Sequence, residues 1–134
     1  MDSLEALRSR LTPLFPGLMG VQLVEVTPER VRASLLVRPD LCTTGDSMHG
    51  GAFMAFADTL GGVATFVNLP PNTRTTTIES STKFLRGAPV GSTVQAECTA
   101  FHTGRTTMVW QTLVRGADER LCAVVTQTQL VIPT

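Results

Sequence analysis

Apolar side chains near the N-terminus recur every three or four positions, which is the spacing of one face of an α-helix. These positions are Leu4, Leu7, Leu11 and Leu14. Asp2 and Glu5 are placed to cap such a helix, and Pro13 and Pro16 are expected to end it because proline cannot continue a helix. The pattern therefore predicts an N-terminal helix within residues 1–15.

Alternation of apolar and polar residues follows, and it predicts two strands over residues 18–26 and 31–38. The apolar positions of the second strand are Val31, Ala33, Leu35 and Val37. The intervening Thr-Pro-Glu-Arg at 27–30 has the composition of a turn. Residues 39–48 contain many turn formers, and we expect them to form a loop.

Residues 50–68 are apolar almost all round, which is typical of a helix buried on most of its sides. Many of these residues are glycine or alanine, so a surrounding sheet could approach the helix closely. Pro70 and Pro71 stand just beyond its end. We predict a central helix over 50–68.

Four more strands are predicted over 74–86, 92–103, 106–116 and 120–132, separated by turns that contain glycine. Threonine and valine dominate these segments, as expected of a half-buried pleated surface. About six strands and one buried helix predict an α+β fold. The length of 134 residues suits one domain spanning 1–134.

The charges balance, with 11 basic and 11 acidic side chains. A chain without net charge has no general attraction for nucleic acid or for an anionic membrane, so we expect neither as a partner. Any anion site must then be local. The central apolar stretch carries Asp58 and ends at two prolines, which makes it a poor membrane span.

The first residues show no basic start followed by an apolar run, so we expect no secretory signal. The three cysteines, Cys42, Cys98 and Cys122, are odd in number and lack Cys-x-x-Cys spacing. This predicts a reducing cytoplasm, in which the thiols act as small apolar groups. His49 and His102 show no metal-ligand spacing with them, so no metal site is expected.

Asp58 is the only formally charged side chain between Asp46 and Arg74. A carboxylate in an apolar helix is costly to bury, so it is usually paired, exposed at a cleft or functional. The alternative is that Asp58 lies on a thin solvent-facing stripe with Thr59 and Thr65.

His49-Gly50-Gly51 immediately precedes and begins the predicted central helix. The first N–H groups of a helix are unpaired and form a local positive pole, which can stabilise a developing oxyanion. The alternatives are that the glycine pair is only a tight turn and that His49 is structural.

Hydrolysis of an acyl compound requires an oxyanion donor and a base or nucleophile at the same carbonyl. Gly50 and Asp58 are eight residues apart, which is about 12 Å along one helix. One helix cannot easily bring both groups to one carbonyl, whereas two antiparallel copies can. The chemistry therefore predicts a dimer if both residues act.

The stretch from His49 to Thr59, His-Gly-Gly-Ala-Phe-Met-Ala-Phe-Ala-Asp-Thr, resembles the His-Gly-Gly helix of hotdog-fold thioesterases. The most similar branch is the one linked to phenylacetate catabolism. Two later segments resemble further pieces of that family, namely Lys-Phe-Leu-Arg at 83–86 and Gly-Arg-Thr-Thr at 104–107. The resemblance runs from about residue 18 to the end, and Asp58 stands nine residues after His49 as in the family.

The resemblance implies a curved antiparallel sheet wrapped around the central helix, in a homodimer that often pairs into a homotetramer. It also implies hydrolysis of acyl-CoA without metal or organic cofactor. The Gly50 N–H would polarise the thioester carbonyl, with His49 shaping the turn. Asp58 would act as general base or nucleophile. Thr77 either orients the attacking water or is an ordinary strand threonine.

The resemblance also supplies candidates for substrate binding. Gly51 would contact the substrate at the helix start, and Thr43 stands where the family often has an asparagine or glutamine near the leaving group. Arg86, Arg105 and Thr106 are candidates for the CoA phosphates, since arginine binds phosphate through two hydrogen bonds. The alternative for the two arginines is a solvated surface charge.

Phe53, Phe56 and Phe66 are expected in the core rather than in an acyl pocket, although Phe53 could serve both.

Three classes of function remain open. The first is a thioesterase. The second is a hotdog hydratase or dehydratase, in which a histidine and a carboxylate act together on a different helix pattern; the Gly-Gly of this chain does not match that pattern. The third is an acyl-CoA binding module without efficient turnover, which the threonine at position 43 keeps open.

Overall fold

The computed structural model describes residues 2–134. Three α-helices are present in the described chain: α1 Leu4–Leu11, α2 Phe15–Met19 and α3 Gly50–Phe66. The strands are β1 Gln22–Val26, β2 Arg30–Leu36, β3 Cys42–Thr43, β4 Ser47–Met48, β5 Thr73–Phe84, β6 Thr93–Thr103, β7 Thr107–Arg115 and β8 Leu121–Pro133.

Six of the strands form one sheet in the order β1-β2-β6-β7-β8-β5, and every pairing in it is antiparallel. The short strands β3 and β4 form a separate ribbon. Helix α3 packs across the sheet and contacts β5, β7 and β8. The predicted α+β class, the six-stranded antiparallel sheet and the single long helix are confirmed.

The core lies between α3 and the sheet, because one face of each is apolar. Phe56 and Leu60 of α3 are fully buried there together with Trp110 of β7. The Trp110 Nε1–H donates to Thr65 Oγ1 at 2.8 Å, and the Thr65 hydroxyl donates to the Gly61 carbonyl at 2.8 Å. This chain of hydrogen bonds satisfies the buried indole and threonine and fixes α3 over the sheet.

The N-terminal segment differs from its prediction. Helix α1 ends at Leu11, and its cap is Ser3, whose Oγ accepts from the Ala6 N–H at 3.1 Å. Pro16 does not end a helix but lies in the first turn of α2, where its missing N–H and fixed φ are tolerated. Strand β1 consequently begins at Gln22 rather than at residue 18.

The predicted loop at 39–48 contains a turn of 3₁₀ helix, Pro39–Leu41, and the β3–β4 ribbon. The ribbon reverses at Gly45 and Asp46, which have φ of 83° and 56°. After it, the Met48 N–H donates to the Ala88 carbonyl, and the His49 N–H donates to the Leu41 carbonyl. These bonds fix the backbone where α3 begins.

All three cysteines are free thiols, and Cys98 and Cys122 are buried. Burial raises the pKa of the Cys98 thiol to about 11, so it stays neutral and packs as a small apolar group. Between residues 2 and 134, no helix is both long enough and apolar enough to cross a membrane.

Candidate active site

His49 is the N-cap of α3, and its side chain caps the helix directly. The Nδ1 atom accepts a hydrogen bond from the Gly51 N–H at 2.7 Å, which leaves the proton of a neutral ring on Nε2. The Ala52 N–H donates to the His49 carbonyl at 2.9 Å. Within residues 2–134, the Gly50 N–H donates to no acceptor. The cap thus leaves one free donor at the positive end of the helix.

Each glycine of the pair has a steric reason to be there. A Cβ on Gly51 would lie 2.9 Å from His49 Nδ1, so a side chain there would displace the capping imidazole. A Cβ on Gly50 would lie 3.2 Å from the Phe84 ring, which packs against the helix start from β5. A side chain at position 51 would therefore disturb the cap, and a side chain at position 50 would press on the Phe84 ring.

Asp58 lies on α3 two turns beyond the cap and is half-buried. Its Oδ1 accepts from the Thr77 hydroxyl of β5 at 2.7 Å and from Gln127 Nε2 of β8 at 3.0 Å. Its Oδ2 has no hydrogen-bond partner within the described chain. Asp58 is therefore held by one oxygen and free at the other, and it does not belong to a stripe of fully solvated side chains.

Gln127 and Gln129, each 1% exposed, form a buried polar layer under Asp58. The Gln129 Nε2 donates to Thr77 Oγ1 at 2.6 Å, and the Gln129 Oε1 accepts from the Thr75 hydroxyl at 2.9 Å. The single proton of the Thr77 hydroxyl is thereby directed to Asp58. The buried Oε1 of Gln127 has no partner within residues 2–134.

Sequence reasoning did not identify these two glutamines. The available signal was the alternation of β8, whose buried face carries Val125, Gln127, Gln129 and Val131. Long polar side chains on the buried face of a strand usually serve a specific hydrogen-bonding purpose.

Three clefts border α3, and each is lined by different candidate residues. The Asp58 cleft, about 530 Å³, lies between α1 and α3. The His49 cleft, about 390 Å³, lies between α2 and the start of α3. The Gly50 cleft, also about 390 Å³, lies between α3 and the end of β5 and includes Arg86. Gly50 and Asp58 of one chain therefore line different clefts.

The three phenylalanines of α3 lie in two different environments. Phe53 and Phe56 are buried as predicted. Phe66 is 38% exposed and lines the Asp58 cleft, so its assignment to the core is wrong. Arg10 of α1 lies 4.6 Å above the Phe66 ring, and this cation–π contact replaces core packing.

The candidate phosphate ligands lie at opposite ends of the sheet. Arg86 follows the end of β5, and its N–H donates to the Cys122 carbonyl. The Thr106 carbonyl accepts from the Val131 N–H, and Val131 pairs with Thr75 near the start of β5. Arg86 and Thr106 are thus separated by roughly 35 Å of strand, at about 3.3 Å per residue.

Thr43, Arg86, Arg105 and Thr106 are exposed. Thr43 pairs with Ser47 in the β3–β4 ribbon. In residues 2–134, no three histidine, cysteine, aspartate or glutamate side chains cluster in a way that could hold a metal ion.

Known proteins share this architecture and a part of the sequence. A mutant thioesterase from Pseudomonas aeruginosa is 27% identical, with a TM-score of 0.94 over 100% of this chain and 96% of that one. A thioesterase from Haemophilus influenzae is 25% identical, with a TM-score of 0.93 over 99% and 92%. The PaaI protein from the phenylacetic acid degradation operon of Escherichia coli shares the fold, with a TM-score of 0.85 over 96% and 89% at 18% identity.

The family model of the thioesterase superfamily matches residues 45–123, which is more than half of the chain. The matched segment contains the capped start of α3, Asp58 and Thr77. Together with the thioesterases of the same fold, it supports thioester hydrolysis as the general activity. The resemblance found in the sequence is confirmed, and this chain belongs to the thioesterase superfamily with the hotdog fold.

Proposed function

We propose that this protein hydrolyses acyl-CoA thioesters to a free acid and CoA, in active sites that each combine two subunits. The observation that carries the proposal is the unpaired Gly50 N–H at the capped end of α3. A preorganised donor at a helix N-terminus stabilises the oxyanion that forms when a carbonyl is attacked. The His49 ring accepts the hydrogen bond of the neighbouring Gly51 N–H and so leaves the Gly50 N–H free.

Asp58 supplies the second half of the chemistry through Oδ2. As general base, it takes a proton from water while the water oxygen attacks the thioester carbon. The tetrahedral intermediate then collapses, the C–S bond breaks, and the proton returns to the leaving thiolate. As nucleophile, the same oxygen would attack the carbon, the C–S bond would break and CoA would leave as its thiolate, giving a mixed anhydride. Water would then cleave the anhydride to the free acid and the Asp58 carboxylate, and the released proton would pass to the CoA thiolate. Both routes require Oδ1 to be held and Oδ2 to be free.

Pairing of two β5 strands across a twofold axis would bring the two halves together. Strand β5 is the longer edge strand of the sheet, and its Ile78 side chain is 54% exposed. A long edge strand presents a row of unpaired N–H and C=O groups, which is a template for pairing with another chain. On β5, Thr77 lies level with Asp58, and Phe84 contacts Gly50. A twofold axis close to Ser80 and Ser81 would lie midway between these two positions. Gly50 of one subunit then faces Asp58 of the partner subunit.

The same axis accounts for the separation of the phosphate ligands. Rotation about the axis close to Ser80 and Ser81 would place Thr75 of the partner subunit level with Arg86. Arg105 and Thr106 lie level with Thr75, so those of the partner subunit would stand near Arg86. An arginine from each subunit would then bind the CoA phosphates at the outer end of the Gly50 cleft.

Gly50 offers a direct test, because proline is favoured at the first position of a helix but lacks an N–H. His49 has φ −60° and ψ 140°, which suits a residue before proline. We expect Gly50→Pro to lower kcat for acyl-CoA hydrolysis by about 10²-fold, the effect of losing one oxyanion donor. Gly50→Ala is the control, because it adds a similar steric demand against Phe84 and keeps the N–H.

Asp58→Asn, assayed beside them, should lower kcat by at least roughly 10²-fold with little change in KM. Its amide oxygen can still accept from Thr77 and Gln127, so the fold should survive. Full activity of folded Gly50→Pro and Asp58→Asn proteins would contradict the proposal. Tight binding of acyl-CoA by the unchanged protein without turnover would favour a binding module instead, consistent with the exposed Thr43.

A further inference from the structure

The Asp58 cleft is bounded by α1 on one side and by the second half of α3 on the other. Its walls are apolar apart from Asp58, Thr59, Thr75 and Arg10. The apolar walls are Leu7, Leu11, Leu14, Gly62, Val63 and Phe66. A cleft of about 530 Å³ with mainly apolar walls and a few polar groups has the size and composition of a small-molecule site.

The two halves of an acyl-CoA must leave the reacting carbonyl in different directions. In the proposed dimer, the Gly50 cleft contains Arg86 and therefore suits the CoA half. The Asp58 cleft of the partner subunit adjoins the same carbonyl and offers apolar walls. We propose that this cleft binds the acyl group, and that Gly62 keeps it open for a medium-chain or aromatic acyl substituent. This inference rests on the proposed function.

Gly62 is the observation that singles out this cleft. A Cβ built on Gly62 meets no atom within 4 Å, so packing does not require glycine there. The neighbouring Gly61 differs, because its Cβ would lie 2.2 Å from the side-chain amide carbon of Gln127. Glycine inside a helix lowers the stability of the helix relative to alanine. A glycine that packing does not need, on the wall of a cleft beside Asp58, is explained if a ligand uses the space.

The length of the cleft limits the acyl group. Gly62 and Phe66 follow Asp58 at intervals of one helical turn each, so the wall extends about 12 Å along α3. At Phe66, the guanidinium of Arg10 stacks on the ring at 4.6 Å and joins α1 to α3. Arg10 is held in turn by Asp2 at 3.2 Å. A medium-length acyl chain or one aromatic ring fits between Asp58 and the Arg10–Phe66 contact.

The test compares side chains added to two clefts on the same helix. We would measure kcat/KM for octanoyl-CoA, benzoyl-CoA and acetyl-CoA with Gly62→Leu, which narrows the Asp58 cleft, and with Ala55→Leu, which narrows the His49 cleft. Gly62→Leu should lower the octanoyl-to-acetyl and benzoyl-to-acetyl ratios at least about tenfold. Ala55→Leu should leave both ratios as in the unchanged protein.

Gly62→Ala guards against a folding defect, because its Cβ enters open space. We expect it to raise the melting temperature and to lower both ratios less than Gly62→Leu does. Unchanged ratios in both folded Gly62 variants would overturn the inference while leaving the proposed function standing, as would a loss of selectivity confined to Ala55→Leu. Absence of hydrolysis of all three substrates by the unchanged protein would overturn both.

Discussion

At the scale of single residues, Asp58 is distinguished by how it is held. Two donors, from Thr77 and Gln127, share Oδ1, and a further donor from Gln129 fixes the Thr77 hydroxyl. A carboxylate with one oxygen fixed and one free is oriented before substrate arrives. Such preorganisation is the main contribution that a protein scaffold makes to a general base or nucleophile.

Gln127 provides a test of that orientation. Gln127→Met keeps the shape of the side chain but removes the donor to Asp58 and the unpaired buried Oε1. We expect kcat to fall about tenfold or more, with KM nearly unchanged.

The melting temperature of Gln127→Met should not fall, since an unsatisfied buried carbonyl costs about 1–3 kcal/mol and is removed. Gln111→Met on β7 is the matched control, because Gln111 is half-buried and does not contact Asp58. A Gln127→Met protein with the kcat and KM of the Gln111→Met control would show that the glutamine layer is only structural.

The sequence was sufficient to select Asp58 and the His-Gly-Gly start as candidate site residues because both break an otherwise apolar pattern locally. It did not identify Gln127, whose partner is 69 residues away along the chain. That contact exists only because β8 lies beside β5 beneath α3. Pairing of distant strands is a tertiary property, and no local pattern specifies it.

At the scale of elements, the strands were predicted well because alternation on a half-buried sheet is a strong local signal. Strands β5 to β8 begin and end within about two residues of their predicted limits, the usual uncertainty of such boundaries. The N-terminal segment was predicted less well. Proline is compatible both with the end of one helix and with the first turn of the next. The sequence alone therefore could not show that Pro16 lies in the first turn of α2.

The lengths of β5 and β7 also separate Arg86 from Arg105. The two arginines can therefore be tested one at a time for phosphate binding. Arg86→Ala and Arg105→Ala should each raise KM for acyl-CoA about tenfold, while a truncated thioester without the nucleotide is unaffected. An interaction with a charged phosphate group contributes about 1.5–3 kcal/mol. Arg32→Ala on β2 is the control. Equal effects on both substrates would exclude a role in phosphate binding.

At the scale of the whole molecule, the spacing of Gly50 and Asp58 on one helix is the central constraint. The structure places the two residues in different clefts of one chain. The edge strand β5 offers a surface through which a second copy could complete both sites. A dimer is predicted from helix geometry alone, whereas the proposed position of its axis also required the register of β5 against β8.

Subunit complementation tests the composite site most directly. In a mixed dimer of Asp58→Asn with Gly50→Pro, one site carries both defects, and the other joins an intact Gly50 to an intact Asp58. Random mixing of the two inactive proteins makes half of the dimers mixed, each with one intact site. We therefore predict recovery of about a quarter of the unchanged protein's activity after co-refolding. Mixed dimers that form but show no recovered activity would contradict the account.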